Sequence, residues 1–263
     1  MNSAGVVVYV VENARRRAES GSHGGGEDEK MRRLDEAYGA LMGDIDGIVG
    51  VDCEGTDSAR FQHLRIKHGC QMVQVSSPRV VVVECITDKR GAGRGKGAGL
   101  SDPLRRILGD ATIAKAFCDA SGDVRGLRAE MDALDVLGEE YYGVNNVVDV
   151  QTLARERGHD VKKAGLAQVV TFAVGFDVKK LSIKKKGWWR LKNVEAMVRE
   201  EGFLEYAAAD AWGTWLSHEY LAGSSRGVKY EDKMGLLKGL KGSVSDSIPN
   251  LVDLVSSTEY QIS

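Results

Sequence analysis

The sequence lacks paired cysteines, and this absence bears on both metal binding and disulfide bonding. Its four cysteines, Cys53, Cys70, Cys85 and Cys118, form no Cys-x-x-Cys pair. The five histidines do not complete a zinc ligand set with them at the spacing that zinc fingers use. We therefore expect no structural zinc. We expect the thiols to be reduced and half-buried, which suits an intracellular protein, cytoplasmic or nuclear.

The sequence also lacks long apolar runs and an excess of charge of one sign. Its longest apolar runs, Val6–Val11 and Val80–Ile86, have the length of strands and are too short to cross a bilayer. No basic segment followed by an apolar one, as in a signal peptide, opens the chain. We therefore expect no membrane partner. The formal net charge is only −2, so a nucleic-acid partner would have to be bound by local basic patches.

The apolar patterning predicts an α/β protein with a mixed sheet. Short apolar or β-branched runs predict strands at Gly5–Val11, Ile45–Asp52, Gln71–Ser76, Val80–Ile86, Ile113–Cys118 and Val147–Gln151. The break at Ser77-Pro78 predicts a hairpin. Helical spacing predicts helices at Glu29–Met42, from Asp102 onward and at Asp123–Leu137. The chain that follows Gln151 is predicted to be helical to about Leu221, with a break near Gly187. The strands come first as a meander and then alternate with helices, as in α/β folds.

Asp52 and Glu54 form the first group of candidate site residues. They bracket Cys53 at the end of an apolar run, so on a strand both carboxylates lie on one face. Two such carboxylates repel each other unless a cation lies between them, and Mg²⁺ binds oxygen ligands of this kind. The alternative is a solvated strand end.

Two further groups lie later in the chain. Tyr206 and Asp210 are four residues apart, so on a helix the phenol and the carboxylate share a face, and the alanines between them allow close packing against a sheet. They could equally belong to an ordinary helix with one exposed acid. Asp123 lies where a predicted strand leads into a predicted helix, and there an acid can simply cap the helix. Its neighbour Asp119 is the nearest alternative for any role at this position.

Taken in order, the three groups resemble the motifs of the DEDDy 3′–5′ exonucleases. These enzymes carry an Asp-x-Glu, a later Asp and a Tyr-x-x-x-Asp near the C-terminal end. The sequence around these acids also resembles that family, at Leu104–Leu127, Val147–Ala154, Trp189 and Tyr206–Leu221. The segments Val49–Gly55 and Val144–Gln151 are most similar to the Egalitarian-like branch. One departure is Cys118, which stands where most members have His.

The resemblance implies an RNase H-like fold, α/β with a mixed central sheet flanked by helices. Residues 1–222 would form one exonuclease domain, and residues 223–263 a peripheral tail. Within the domain, residues 20–30 are rich in Gly, Ser and acids, and residues 88–102 are Gly-rich and basic. We expect both segments to be mobile loops.

The resemblance also implies a catalytic site and a reaction. Asp52, Glu54 and Asp210 would hold one of two Mg²⁺ or Mn²⁺ ions. Asp52 would bridge to the second ion, which Asp123 would reach through water. Tyr206 would orient the attacking water, and a further implied role is to assist its deprotonation. The implied reaction is hydrolysis of RNA or single-stranded DNA from the 3′ end to nucleoside 5′-monophosphates.

A basic segment with two tryptophans predicts a nucleic-acid-binding surface. Its candidate residues are Lys184, Lys185, Lys186, Trp188 and Arg190. Neutralising phosphates next to stacking rings is what binding of single-stranded nucleic acid requires. The alternative is a solvated basic loop, with Trp189 in the core.

The main alternative function is a non-catalytic nucleic-acid-binding or adaptor protein on the same fold. A degenerate domain is free to lose its acids, whereas this chain retains all four together with the tyrosine. The ligand set therefore favours a hydrolase. An unrelated small-molecule activity would require the order of the motifs to arise by chance.

Overall fold

The described part of the chain forms one mixed β-sheet with helices on both faces. The computed structural model describes residues 6–12, 25–55, 70–86, 100–135, 143–159, 165–174 and 203–223. In these ranges the strands are β1 (Val7–Glu12), β2 (Ile48–Gly55), β3 (Cys70–Ser76), β4 (Val80–Cys85), β5 (Ala114–Phe117) and β6 (Val147–Asp149). The helices are α1 (Gly25–Asp44), α2 (Asp102–Gly109), α3 (Ala120–Asp135), α4 (Val150–Glu156), α5 (Leu166–Val174) and α6 (Phe203–Leu221).

The sheet has the order β1-β4-β3-β2-β5-β6. Strand β3 pairs antiparallel with both β2 and β4, and the remaining neighbours pair in parallel. The mixed sheet and the hairpin at Ser77-Pro78 are therefore confirmed. The predicted initial meander is only partly right, because β1 does not pair with β2 but lies at the far edge, parallel to β4.

Two apolar cores lie on opposite faces of this sheet. On one face, residues of α1, α2 and α3 pack against strand residues such as Val49, Val73 and Val82. On the other face, residues of α4, α5 and α6 pack against strand residues such as Met72 and Val83. Because both faces are covered, every residue of β4 is buried, and apart from Glu84 the strand is an apolar run rather than an alternating pattern.

Helix α6 lies very close to β2 at Gly50. A Cβ atom at this position would lie 2.1 Å from the Ala211 carbonyl oxygen and 2.5 Å from the Trp215 backbone nitrogen. Only glycine leaves room for backbone at that distance. On the helix side, Ala207 and Ala211 are fully buried. The small side chains thus bring α6 down onto the sheet, as its alanines predicted.

Some element boundaries differ from the predictions. Helix α1 begins at Gly25 rather than Glu29, so residues 25–30 of the segment assigned to a loop are helical. Strand β6 ends at Asp149, whose side chain accepts a hydrogen bond from the Gln151 backbone nitrogen at 2.8 Å and caps α4. Residues 20–24 and 88–99, and the tail from residue 224, lie outside the described residues.

The helices differ from membrane spans in length or in apolar character. Among those in the described ranges, none combines the length and the apolar character that a membrane crossing needs.

Candidate metal centre

Three carboxylates from two elements meet at the C-terminal end of β2. One oxygen from each of Asp52, Glu54 and Asp210 lies within 4.8 Å of the other two. Strand β2 supplies the first two on one face, and Cys53 between them packs against the core on the other face. Helix α6 supplies Asp210, which is buried, whereas Asp52 and Glu54 are half-buried. The structure thus brings together three of the four predicted acids.

Tyr206 belongs to the same cluster. It lies one turn before Asp210 on α6, and its phenol is hydrogen-bonded to the Asp210 carboxylate. Burial, and then the negative charges of Asp210, Glu54 and Asp52, raise the pKa of Tyr206 well above its usual range. The phenol therefore stays protonated and serves as a hydrogen-bond donor to an oxygen beside it.

Asp123 does not join the three converging oxygens. It lies in the first turn of α3, whose Val124 and Leu127 pack on the sheet face opposite α6. Its charge acts on Cys53, where burial, followed by a hydrogen bond with Cys70, raises the pKa of the thiol well above its usual range. Asp123 thus lies near enough to the end of β2 for its charge to raise the pKa of Cys53.

Asp119, the alternative to Asp123, has the geometry of a turn residue. It is exposed, has a left-handed backbone with φ of 66°, and immediately precedes α3. Its carboxylate accepts a hydrogen bond from the Ser121 hydroxyl at 3.3 Å. This local bond is typical of a residue at the entry to a helix.

The donor set fits a hard divalent cation. The three acids offer only oxygen atoms, which Mg²⁺ prefers, and their charges repel one another without a cation. Oxygens on opposite sides of an octahedral Mg²⁺ ion are about 4.2 Å apart, because each lies about 2.1 Å from the ion. The three carboxylate oxygens all lie within 4.8 Å of one another, a distance close to that span.

A thiol and an amide border the centre at the ends of β5 and β6. The Gln151 side-chain nitrogen donates to the Cys118 sulfur at 3.8 Å. Burial raises the pKa of Cys118 to about 12, with smaller contributions from Asp149, Asp52 and Asp119. The thiol is therefore neutral at physiological pH. By the resemblance described above, most members of the DEDDy family would have a histidine at this position.

Gln74 is a polar residue of this region that the sequence analysis missed. It lies on β3 directly opposite Asp52 and is completely buried. Neither its amide nitrogen nor its amide oxygen is hydrogen-bonded to any residue in the described ranges. The available signal was a glutamine in the middle of a strand, between the apolar residues Val73 and Val75.

The predicted nucleic-acid-binding residues fall outside the part of the chain that the structure describes. They are Lys184, Lys185, Lys186, Trp188 and Arg190, and the same holds for Trp189. Their role remains a prediction.

The fold matches solved structures of nucleases, although no family model and no curated protein matches the sequence. A nuclease in its apo form aligns over 97% of both chains with a TM-score of 0.55 and 15% identity. Brucella melitensis NrnC bound to pGG aligns over 98% of both chains, with a TM-score of 0.51 and 17% identity. Trypanosoma brucei RNase D aligns with 83% of this chain and 66% of its own, with a TM-score of 0.51 and 19% identity.

At identities below a quarter, these proteins share their fold with this chain. The match confirms the α/β, RNase H-like fold that the resemblance to DEDDy exonucleases implied. In this chain the three carboxylates converge where β2 of that fold meets α6.

Proposed function

We propose that this protein is a metal-dependent 3′–5′ exonuclease that hydrolyses RNA or single-stranded DNA to nucleoside 5′-monophosphates. The observation that carries the proposal is the convergence of Asp52, Glu54 and Asp210 at the end of a covered strand. Three oxygen ligands so close together favour metal chemistry over the adaptor alternative, which has no need of them. The fold supports the same reading, because it is the fold of nucleases.

The ligands found in solved structures of the same fold add support for a nucleic-acid substrate and a divalent ion. NrnC has one solved structure with pGG and another with bound Mg²⁺. RNase D of Trypanosoma brucei has been solved in complex with GMP. These ligands suggest the substrate class and the metal to test on this chain.

Asp52, Glu54 and Asp210 would hold one Mg²⁺ or Mn²⁺ ion directly. A second ion would share Asp52. By the same resemblance, Asp123 would reach that ion through water. When bound, the ions supply the Lewis acidity that activates water and neutralises charge on the leaving oxygen.

Tyr206 contributes the positioning of the attacking water. Its hydroxyl is anchored to Asp210, and the raised pKa keeps its proton in place at neutral pH. A neutral phenol fixes the direction of a water molecule by hydrogen bonding, whereas a phenolate would be needed to remove a proton from it.

The test compares the wild type with Asp52→Ala and Asp210→Ala on 5′-labelled single-stranded RNA and DNA of one sequence. With Mg²⁺ we expect the wild type to shorten at least one substrate stepwise from the 3′ end and to release nucleoside 5′-monophosphates. Each variant should lose at least about a hundredfold in rate, because the charge that it removes holds the ion against the reacting phosphate.

Asp35→Ala is the matched control, since Asp35 is an exposed acid on α1. It should degrade the substrate as the wild type does, and circular dichroism should show all variants folded. Undiminished degradation by both folded site variants would overturn the proposal.

A further inference from the structure

Gln74 is a buried amide whose surroundings give it little to bond to. Its side chain is fully removed from solvent, and both polar atoms lack a hydrogen bond within the described ranges. A buried amide without partners destabilises a fold, whereas an apolar side chain of similar size does not. A glutamine at this position therefore needs an explanation other than packing.

The register of the sheet identifies the neighbours of Gln74 within the sheet. Its partner on β2 is Asp52 and its partner on β4 is the apolar Val83. Along β3, its neighbours on the same face are Met72 and Ser76, and the Ser76 hydroxyl already donates to the Ser77 carbonyl oxygen at 2.8 Å. Among these neighbours, Asp52 offers the carboxylate.

Gln74 and Asp52 also share a face of the sheet. Directly opposite residues on antiparallel strands point the same way, with Cβ atoms about 4.5–5.5 Å apart. Val83 and Met72 identify that face as the one covered by α6. Gln74 is therefore the direct neighbour of Asp52 on the face where α6 supplies Asp210.

We propose that Gln74 is a positioning residue for Asp52. When the site holds its ion, the Gln74 amide N–H donates to the Asp52 carboxylate and fixes its orientation, leaving an oxygen directed at the ion. Carboxylates that bind metals are commonly held by such a hydrogen bond, and loss of the bond weakens metal binding about 10–100-fold. This inference rests on the proposed function, because it requires that Asp52 bind a metal ion.

The test measures Mn²⁺ affinity by calorimetric titration for the wild type, Gln74→Met and Gln74→Asn. Methionine preserves the length of the side chain and removes both polar atoms. Asparagine keeps the amide but withdraws it by one methylene. We expect both variants to bind Mn²⁺ about 10–100-fold more weakly, and we expect Gln74→Met without metal to be at least as stable to heat as the wild type.

Ser76→Ala is the matched control, because Ser76 is a buried polar residue on the same face of the same strand. Its Mn²⁺ affinity should equal that of the wild type. If folded Gln74→Met binds Mn²⁺ within twofold of the wild type, the amide has only a structural role and the inference is overturned. Gln74→Asn supplies the same comparison if Gln74→Met does not fold.

Degradation assays on the same preparations separate this inference from the proposed function. A wild type that binds Mn²⁺ but leaves RNA and DNA intact would overturn the exonuclease while leaving the role of Gln74 in place. A wild type that degrades substrate, beside a Gln74→Met variant with unchanged Mn²⁺ affinity, would overturn the role of Gln74 alone. A wild type that binds no Mn²⁺ would overturn both.

Discussion

At the scale of the residue, one hydroxyl group can be tested separately from the fold. Tyr206→Phe removes the phenol oxygen beside Asp210 and leaves the ring. Because the oxygen orients water but does not bind the ion, we expect the single-turnover rate to fall about a hundredfold, as misplaced reactants do. The Mn²⁺ affinity should fall by less than the rate does, because the phenol is not itself a metal ligand.

The control for this change is Tyr220→Phe, the same deletion near the end of the same helix. It should leave the rate unaltered. If Tyr206→Phe hydrolyses its substrate as fast as the wild type, the tyrosine only packs.

Residue pairs within one element were predictable, whereas contacts between elements were not. The strand period placed Asp52 and Glu54 on one face, and the helical period did the same for Tyr206 and Asp210. The two pairs meet only because α6 docks on β2. The periodicity of a single element carries no information about such docking, and only the family resemblance implied it. Gln74 was missed for the same reason, because its place opposite Asp52 follows from the register of β3.

At the scale of the element, the site depends on how closely α6 docks on β2. Gly50→Ala would place a methyl group 2.1 Å from the Ala211 carbonyl oxygen, and backbone of a packed helix cannot turn aside as a flexible side chain can. Helix α6 must shift, and Asp210 with it. We expect the free energy of unfolding in urea to fall by about 1–3 kcal/mol, the usual loss on overpacking, and Mn²⁺ binding to weaken.

Gly39→Ala provides the opposite case, because Gly39 lies within α1 and nothing comes within 4 Å of an added Cβ. It should raise the free energy of unfolding by about 0.5–1 kcal/mol, since alanine favours a helix over glycine. Equal stability of Gly50→Ala and the wild type would show that the helix tolerates displacement.

The ends of elements were predicted less well than their existence. The start of α1 was placed too late because Gly25 and Gly26 have poor helical propensity. In the structure, Glu29 pairs with Arg32 and Arg33, each at 2.7 Å, near this end of the helix. Such pairs lie one turn apart on the helix surface, so they stabilise the turn that follows the two glycines.

At the scale of the whole molecule, an ion bound by β2 and α6 stabilises the native chain against unfolding. A ligand whose concentration is a hundred times its dissociation constant adds about 2.7 kcal/mol to the free energy of unfolding. For a protein of this size that amounts to roughly 5–10 °C in the melting temperature. We expect Mn²⁺ to produce such a shift in a thermal melt of the wild type, and EDTA to reverse it.

Asp210→Ala should show little or none of this shift, because it breaks the link between the helix and the strand, whereas Asp35→Ala should show all of it. A shift of equal size in Asp210→Ala would mean that the ion binds elsewhere.

The division of the centre between β2 and α6 has a consequence for the newborn protein. During translation, Asp52 and Glu54 are synthesised long before Tyr206 and Asp210. At about 5–20 residues per second, synthesis of the intervening chain takes on the order of ten seconds. Throughout that interval the chain is surrounded by the RNA of the ribosome that makes it. For the nuclease proposed above, the late arrival of α6 means that the chain cannot attack this RNA until its own synthesis has passed the last metal ligand.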